Sequence, residues 1–165
     1  MKVLRIIDSI NDWVGKIVSF TIFPIIGMVL FEVVMRYFLR KSQLWVPETS
    51  IFLFGCLFVL GGGYAYLHEA HVRLDVLYER FTSRKKAILD SITSLFFFIF
   101  CGILIWKGWE MAWESILTLE RSPSAFSPFL FPYKILIPIG SLLLLLQGLA
   151  KLVLNLEFIF RKNKI

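Results

Sequence analysis

Glu32 and Arg36 stand four residues apart inside a long apolar segment. The acid is on the N-terminal side, the better order for a pair along one helix face. An ionisable side chain within a membrane-spanning helix costs at least about 2.5–3.5 kcal/mol, so each such group is a candidate for function. The chemistry open to Glu32 is the uptake and release of a proton or cation. The structural alternative is an ion pair that fixes neighbouring helices or docks a partner, and the place of Glu32 near the end of its segment favours that reading. Glu48 follows Trp45 and Pro47 at the start of the next apolar run. A carboxylate in a first helical turn is favoured by the free N–H groups there, and this one could reach Arg36 or Arg40 across the short link. No second polar group at matching depth suggests catalysis.

His68 and His71, the only two histidines, invite a metal or haem reading. They sit three apart on one helix end, whereas axial haem ligands should come from facing positions and zinc needs further nitrogen or sulfur ligands. A hydrogen-bonding role at the helix end fits better, with Asp75 a candidate partner for His71. Cys56 and Cys101 lie in apolar runs, where packing is the expected role. Gly55 and Gly61–Gly63 give their helix a smooth strip for close helix approach in lipid. No nucleophile–base pair, phosphate-binding loop or metal signature is present, and no cofactor is expected.

The elements that must position these residues are membrane spans. Residues 17–31, 49–67, 91–106 and 135–150 contain no charged side chain, in a chain that is 58% hydrophobic. A hydrocarbon core about 30 Å thick needs about 20 helical residues, and backbone polar groups in lipid must be satisfied within the segment. The sequence therefore predicts an all-α integral membrane protein, a single compact four-helix domain over residues 1–165. The spans fall at about 13–37, 48–67, 87–117 and 133–160. Asp8 and Asp12 precede the first run, which is too long for a signal peptide and lacks a cleavage site, so it is expected to stay as a span. Between helices 2 and 3, Leu74, Leu77, Tyr78 and Phe81 recur at helical spacing, which predicts a short amphipathic interfacial helix over 72–82. Residues 120–132, with Pro123, Pro128 and Pro132, predict an irregular loop. The net charge of +6 arises from basic residues flanking the spans, which argues against nucleic acid. Twelve of the 18 Lys and Arg residues fall on the side that holds both termini, which predicts N-terminus and C-terminus in the cytoplasm.

A family resemblance rests on residues spread along this order. Phe31-Glu32-Val33-Val34-Met35-Arg36-Tyr37 closes helix 1, and Trp45-Val46-Pro47-Glu48 opens helix 2. Gly61-Gly62 and His71-Val72-Arg73-Leu74-Asp75 follow, then Pro132-Tyr133 and Pro138-Ile139-Gly140. Together these resemble the small membrane subunit, of DctQ type, of the tripartite ATP-independent periplasmic (TRAP) transporters, over about residues 10–155. Two departures stand out: Glu48 is followed by Thr49 where the family often has a second acid, and after Ser122-Pro123 the loop differs from the family pattern.

The resemblance implies a subunit of the bacterial inner membrane that works with a large multi-spanning transport subunit and a periplasmic substrate-binding protein. The cargo would be a small organic anion, a carboxylate or acidic sugar, with sodium bound on the large subunit. The chain itself would be a non-enzymatic scaffold embedded in membrane lipid. Glu32, Arg36, Arg40, Trp45 and Glu48 would organise the outer end of helices 1 and 2, with Gly62 packing helix 2. His71, Arg73 and Asp75 would hold the amphipathic segment, and the loop around Pro123 would face the binding protein. The competing expectation is a small homo-oligomeric exporter with Glu32 as its proton-coupling carboxylate.

Overall fold

The computed structural model describes residues 2–68 and 83–161. It contains the helices α1 (Lys2–Ser19), α2 (Ile22–Tyr37), α3 (Trp45–Leu67), α4 (Ser83–Leu117) and α5 (Phe131–Arg161). With α1 and α2 running on as Val3–Tyr37, four segments are long and apolar enough to cross a membrane. The amphipathic segment expected at 72–82, with His71, Arg73 and Asp75, lies outside the described residues.

The first span departs from expectation at both its start and its middle. It begins at Lys2 instead of near Trp13, because the polar residues Asp8, Asn11 and Asp12 find partners on other helices and so can be helical. It is also interrupted at Phe20–Thr21. The cause is Pro24, which has no N–H to offer the Phe20 carbonyl and whose ring crowds it. The chain tightens locally instead: Phe23 N–H reaches Phe20 O at 3.3 Å, and regular bonding resumes with Ile25 N–H to Thr21 O at 3.2 Å.

The described helices pack around α3 and α5, and α1 touches both of them. α4 packs along α5, α5 along α3, and α3 against both α1 and α2. α5 is the interior member: 33% of its apolar window is buried, against 6–11% in the other spans. In lipid, close backbone approach supplies the packing that water would otherwise drive. On α5, Gly140 lies so close to Val59 of α3 that a Cβ would stand 2.5 Å from its Cγ1. Nearby, Phe52 and Tyr133 stack with ring centroids 3.9 Å apart. Cys101 of α4 is fully buried and Cys56 of α3 half-buried, both as free thiols.

The loop between α4 and α5 is more ordered than its prolines suggest. α4 closes on Leu119, at φ 47°, with Leu119 N–H to Ile116 O (3.3 Å) and Glu120 N–H to Ser115 O (3.1 Å). These are the paired bonds of a Schellman cap. A narrow bridge follows, with Ser122 N–H to Pro128 O at 2.9 Å and Leu130 N–H to Glu120 O at 2.9 Å. The Arg121 guanidinium covers the Phe129 ring at 4.0 Å.

Candidate functional site

Two polar centres lie at opposite ends of the helices. At the loop end, α2 presents Glu32, whose residue is only 9% exposed. Its Oε1 accepts from Arg36 Nη2 at 2.9 Å and from Ser42 Oγ at 2.9 Å, and its Oε2 accepts from the Gln43 backbone N–H at 3.1 Å. Arg36 Nη2 also lies 3.4 Å from Ser42 Oγ. One carboxylate therefore ties the end of α2 to the link that leads into α3. The link leaves α2 through Arg40, which is exposed and held at φ 52°, and Lys41 N–H returns to Met35 O at 3.0 Å.

Trp45, the first residue of α3, is 38% exposed and lies against Phe31, with ring centroids 6.3 Å apart. Pro47 falls within the first turn, where a missing N–H costs least. Beside Glu32 the two helices leave a groove of about 340 Å³, lined by Val29, Glu32, Val33, Arg36, Tyr37, Val46, Pro47 and Ser50. Valines and a proline make up half of its lining, with Glu32, Arg36, Tyr37 and Ser50 as the polar members.

Glu48 reaches neither Arg36 nor Arg40. Its Oε2 accepts from Ser124 Oγ at 2.5 Å, because the α4–α5 loop folds back over the start of α3. Ser124 Oγ in turn accepts from Ser127 N–H at 3.1 Å. Pro123 sits exposed at the tip of this loop. The loop's base is fixed by the ion pair of Glu120 with Lys134, and the Lys134 ammonium holds the Glu120 carboxyl below the ordinary carboxylate range. A group whose folded pKa is depressed adds stability above its ordinary pKa and loses it as pH falls through the folded value. The melting temperature of the wild type should therefore fall more steeply below about pH 4.5 than that of Glu120→Gln. Identical acid profiles would show that this pair contributes nothing.

At the other end, near the start of α1 and the second half of α5, these helices and α3 share a second centre that was not evident from the sequence. Asn11 is 1% exposed, and its Nδ2 donates to Gln147 Oε1 at 2.9 Å and to Ile7 O at 3.2 Å. Gln147 Nε2 donates to Asp8 Oδ1 at 2.8 Å. Asn11 Oδ1 has no hydrogen-bond donor and points at Gly63, where a Cβ would stand 2.1 Å from it. Asp12 pairs with Lys16 at 2.5 Å and with His68 Nε2 at 3.1 Å, and the His68 ring lies 4.3 Å from that of Tyr64. The available signal was a lone amide, Gln147, in an otherwise uncharged apolar run, since polar side chains there seek partners on other helices. The glycine strip is divided in its roles: Gly55 and Gly61 face open space, Gly62 makes an ordinary contact with Leu144, and Gly63 alone is tight.

Among the described residues no three His, Cys, Asp or Glu side chains converge as a metal site. What the described residues present is a set of apolar helices in which Glu32, Glu48, Asn11 and Gln147 bond to neighbouring helices and loops. Residues 25–158 match the family described as tripartite ATP-independent periplasmic transporters, DctQ component, and the chain belongs to that family. The family is a transporter component and not a family of enzymes. The chain is similar to the C4-dicarboxylate TRAP transporter small permease protein DctQ of Vibrio cholerae, 25% identical over 121 residues, covering 73% of this chain and 50% of that protein. It is also similar to the isethionate TRAP transporter permease protein DctMQ of Oleidesulfovibrio alaskensis, 24% identical over 135 residues, covering 76% of this chain and 21% of that protein. The chain thus spans about half of one relative and about a fifth of the other.

Proposed function

We propose that this chain is the static scaffold of a sodium-coupled TRAP transporter that imports a small organic anion delivered by a periplasmic binding protein. Family membership supplies the transporter. The scaffold role rests on one observation: the described spans expose broad apolar faces, while the polar centres at Glu32 and at Asn11 and Gln147 bind neighbouring parts of the chain. A large multi-spanning subunit would carry the substrate and sodium sites, and one of these apolar faces would pack against it. The names of the two relatives, C4-dicarboxylate and isethionate permeases, support an anionic cargo. The end with the Asn11 and Gln147 centre would face the cytoplasm, which leaves the 38–44 link and the 118–130 loop outside, where a binding protein could meet them.

The exporter alternative is disfavoured by Glu32 itself. Both of its oxygens are occupied by donors from its own helix and the adjoining link, and this suits a fastening better than a group that exchanges protons with a pathway. The test is Arg36→Ala in cells carrying the whole transporter. Assembly or uptake should fall several-fold while the ranking of competing substrates stays unchanged. An altered ranking would place this subunit in the substrate site and overturn the proposal.

A further inference from the structure

We propose that the exposed face of α4 near its C-terminal end binds the primary ammonium of an ethanolamine lipid headgroup. The site is a groove of about 470 Å³ lined by Trp106, Trp109, Glu110, Trp113, Glu114 and Leu117. The three indoles are 74%, 60% and 53% exposed, so no other described element covers them. Tryptophans at a membrane interface commonly act as anchors without a specific ligand. Two features set this groove apart. Trp109 and Trp113 lie nearly parallel, 16° apart, with centroids 6.3 Å apart, and offer indole faces to a cation.

On the same strip stand two carboxylates. Glu110 is paired with Lys107 at 2.6 Å, whereas the Glu114 side chain has no partner among the described residues. Indole faces attract cations, and a carboxylate adds a charge-assisted hydrogen bond to any cation that carries N–H donors. A primary ammonium meets both demands. A choline group lacks the N–H donors, and a glycerol headgroup lacks the charge. Three tryptophans beside Lys107, Glu110 and Glu114 at this helix end are the composition of a membrane–water interface, which makes the ammonium a lipid's and not that of a soluble amine.

The test is native mass spectrometry of the full chain in mild detergent, titrated separately with phosphatidylethanolamine and phosphatidylglycerol. Wild type, Trp109→Leu and Glu114→Gln are compared, with circular dichroism as the check of folding. The wild type should retain phosphatidylethanolamine several-fold better than phosphatidylglycerol. Trp109→Leu should reduce that retention by about two- to fivefold, the range of an exposed cation–π contact, Glu114→Gln should reduce it through the lost charge-assisted hydrogen bond, and both should leave phosphatidylglycerol unaffected. Equal retention of the two lipids by the wild type would overturn the proposal. So would folded variants that keep the preference, or a copurifying protein that occupies the groove while no lipid is retained.

Discussion

Gly63→Ala should loosen α1 from the rest of the molecule, and Asn11→Ala should largely repair the damage. The added methyl would stand 2.1 Å from Asn11 Oδ1, 3.0 Å from Asn11 Cγ and 3.6 Å from the Leu143 carbonyl carbon. Asn11 can yield only by rotating, and rotation breaks the Nδ2 bond to Gln147. Overfilling a packed site costs about 1–3 kcal/mol. Hydrogen bonds between helices in a membrane average only about 0.6 kcal/mol, so the clash outweighs the lost amide contact. Gly63→Ala should therefore lower thermal stability more than Asn11→Ala does. The double variant should be markedly more stable than the sum of the two single effects predicts, because the truncated side chain vacates the space that the new methyl needs. Simple additivity in thermal melts would show that Gly63 and Asn11 do not share this contact.

Glu32→Ala is expected to have the larger effect on assembly. The carboxylate collects the Arg36 guanidinium, the Ser42 hydroxyl and the Gln43 backbone N–H, and so sets the path by which the chain turns from α2 into α3. Its loss frees the link and leaves the Arg36 charge beside the groove. Glu32→Gln is the informative companion. An uncharged amide keeps one acceptor oxygen for Gln43 or Ser42, but its NH₂ cannot accept from the others. Complex yield should fall strongly for alanine and by an intermediate amount for glutamine, with substrate ranking unchanged in whatever complex remains. A proton-coupling role predicts otherwise: Glu32→Gln would assemble normally yet abolish the dependence of transport on a proton gradient.

How much of this was legible in the sequence can be traced residue by residue. The four spans were readable because apolar runs free of charge have a length set by the bilayer, and the Glu32–Arg36 contact because spacing of four on a helix is local geometry. The family was readable from motifs in order along the chain. What was hidden depended on tertiary placement. Which helix packs on which follows from the faces that meet, and spans that are apolar on most sides carry no period to reveal it. Glu48 was assigned to the wrong neighbour because Ser124, 76 positions further along, approaches only once the loop folds back. Asn11 lies before residue 13, where the first span was expected to begin, and its partner Gln147 comes from the other end of the chain. Pro24, by contrast, was in plain view, and its effect on the Phe20 carbonyl is a local rule that the sequence reading did not apply.

The central claim is that this chain is one fixed part of a larger assembly. The most direct measurement is to extract it from its native membrane in mild detergent and identify by mass spectrometry whatever accompanies it. The account predicts a stoichiometric, much larger polytopic partner. Recovery of the chain alone as an active homo-oligomer would contradict it and would move attention to Glu32 as a coupling residue.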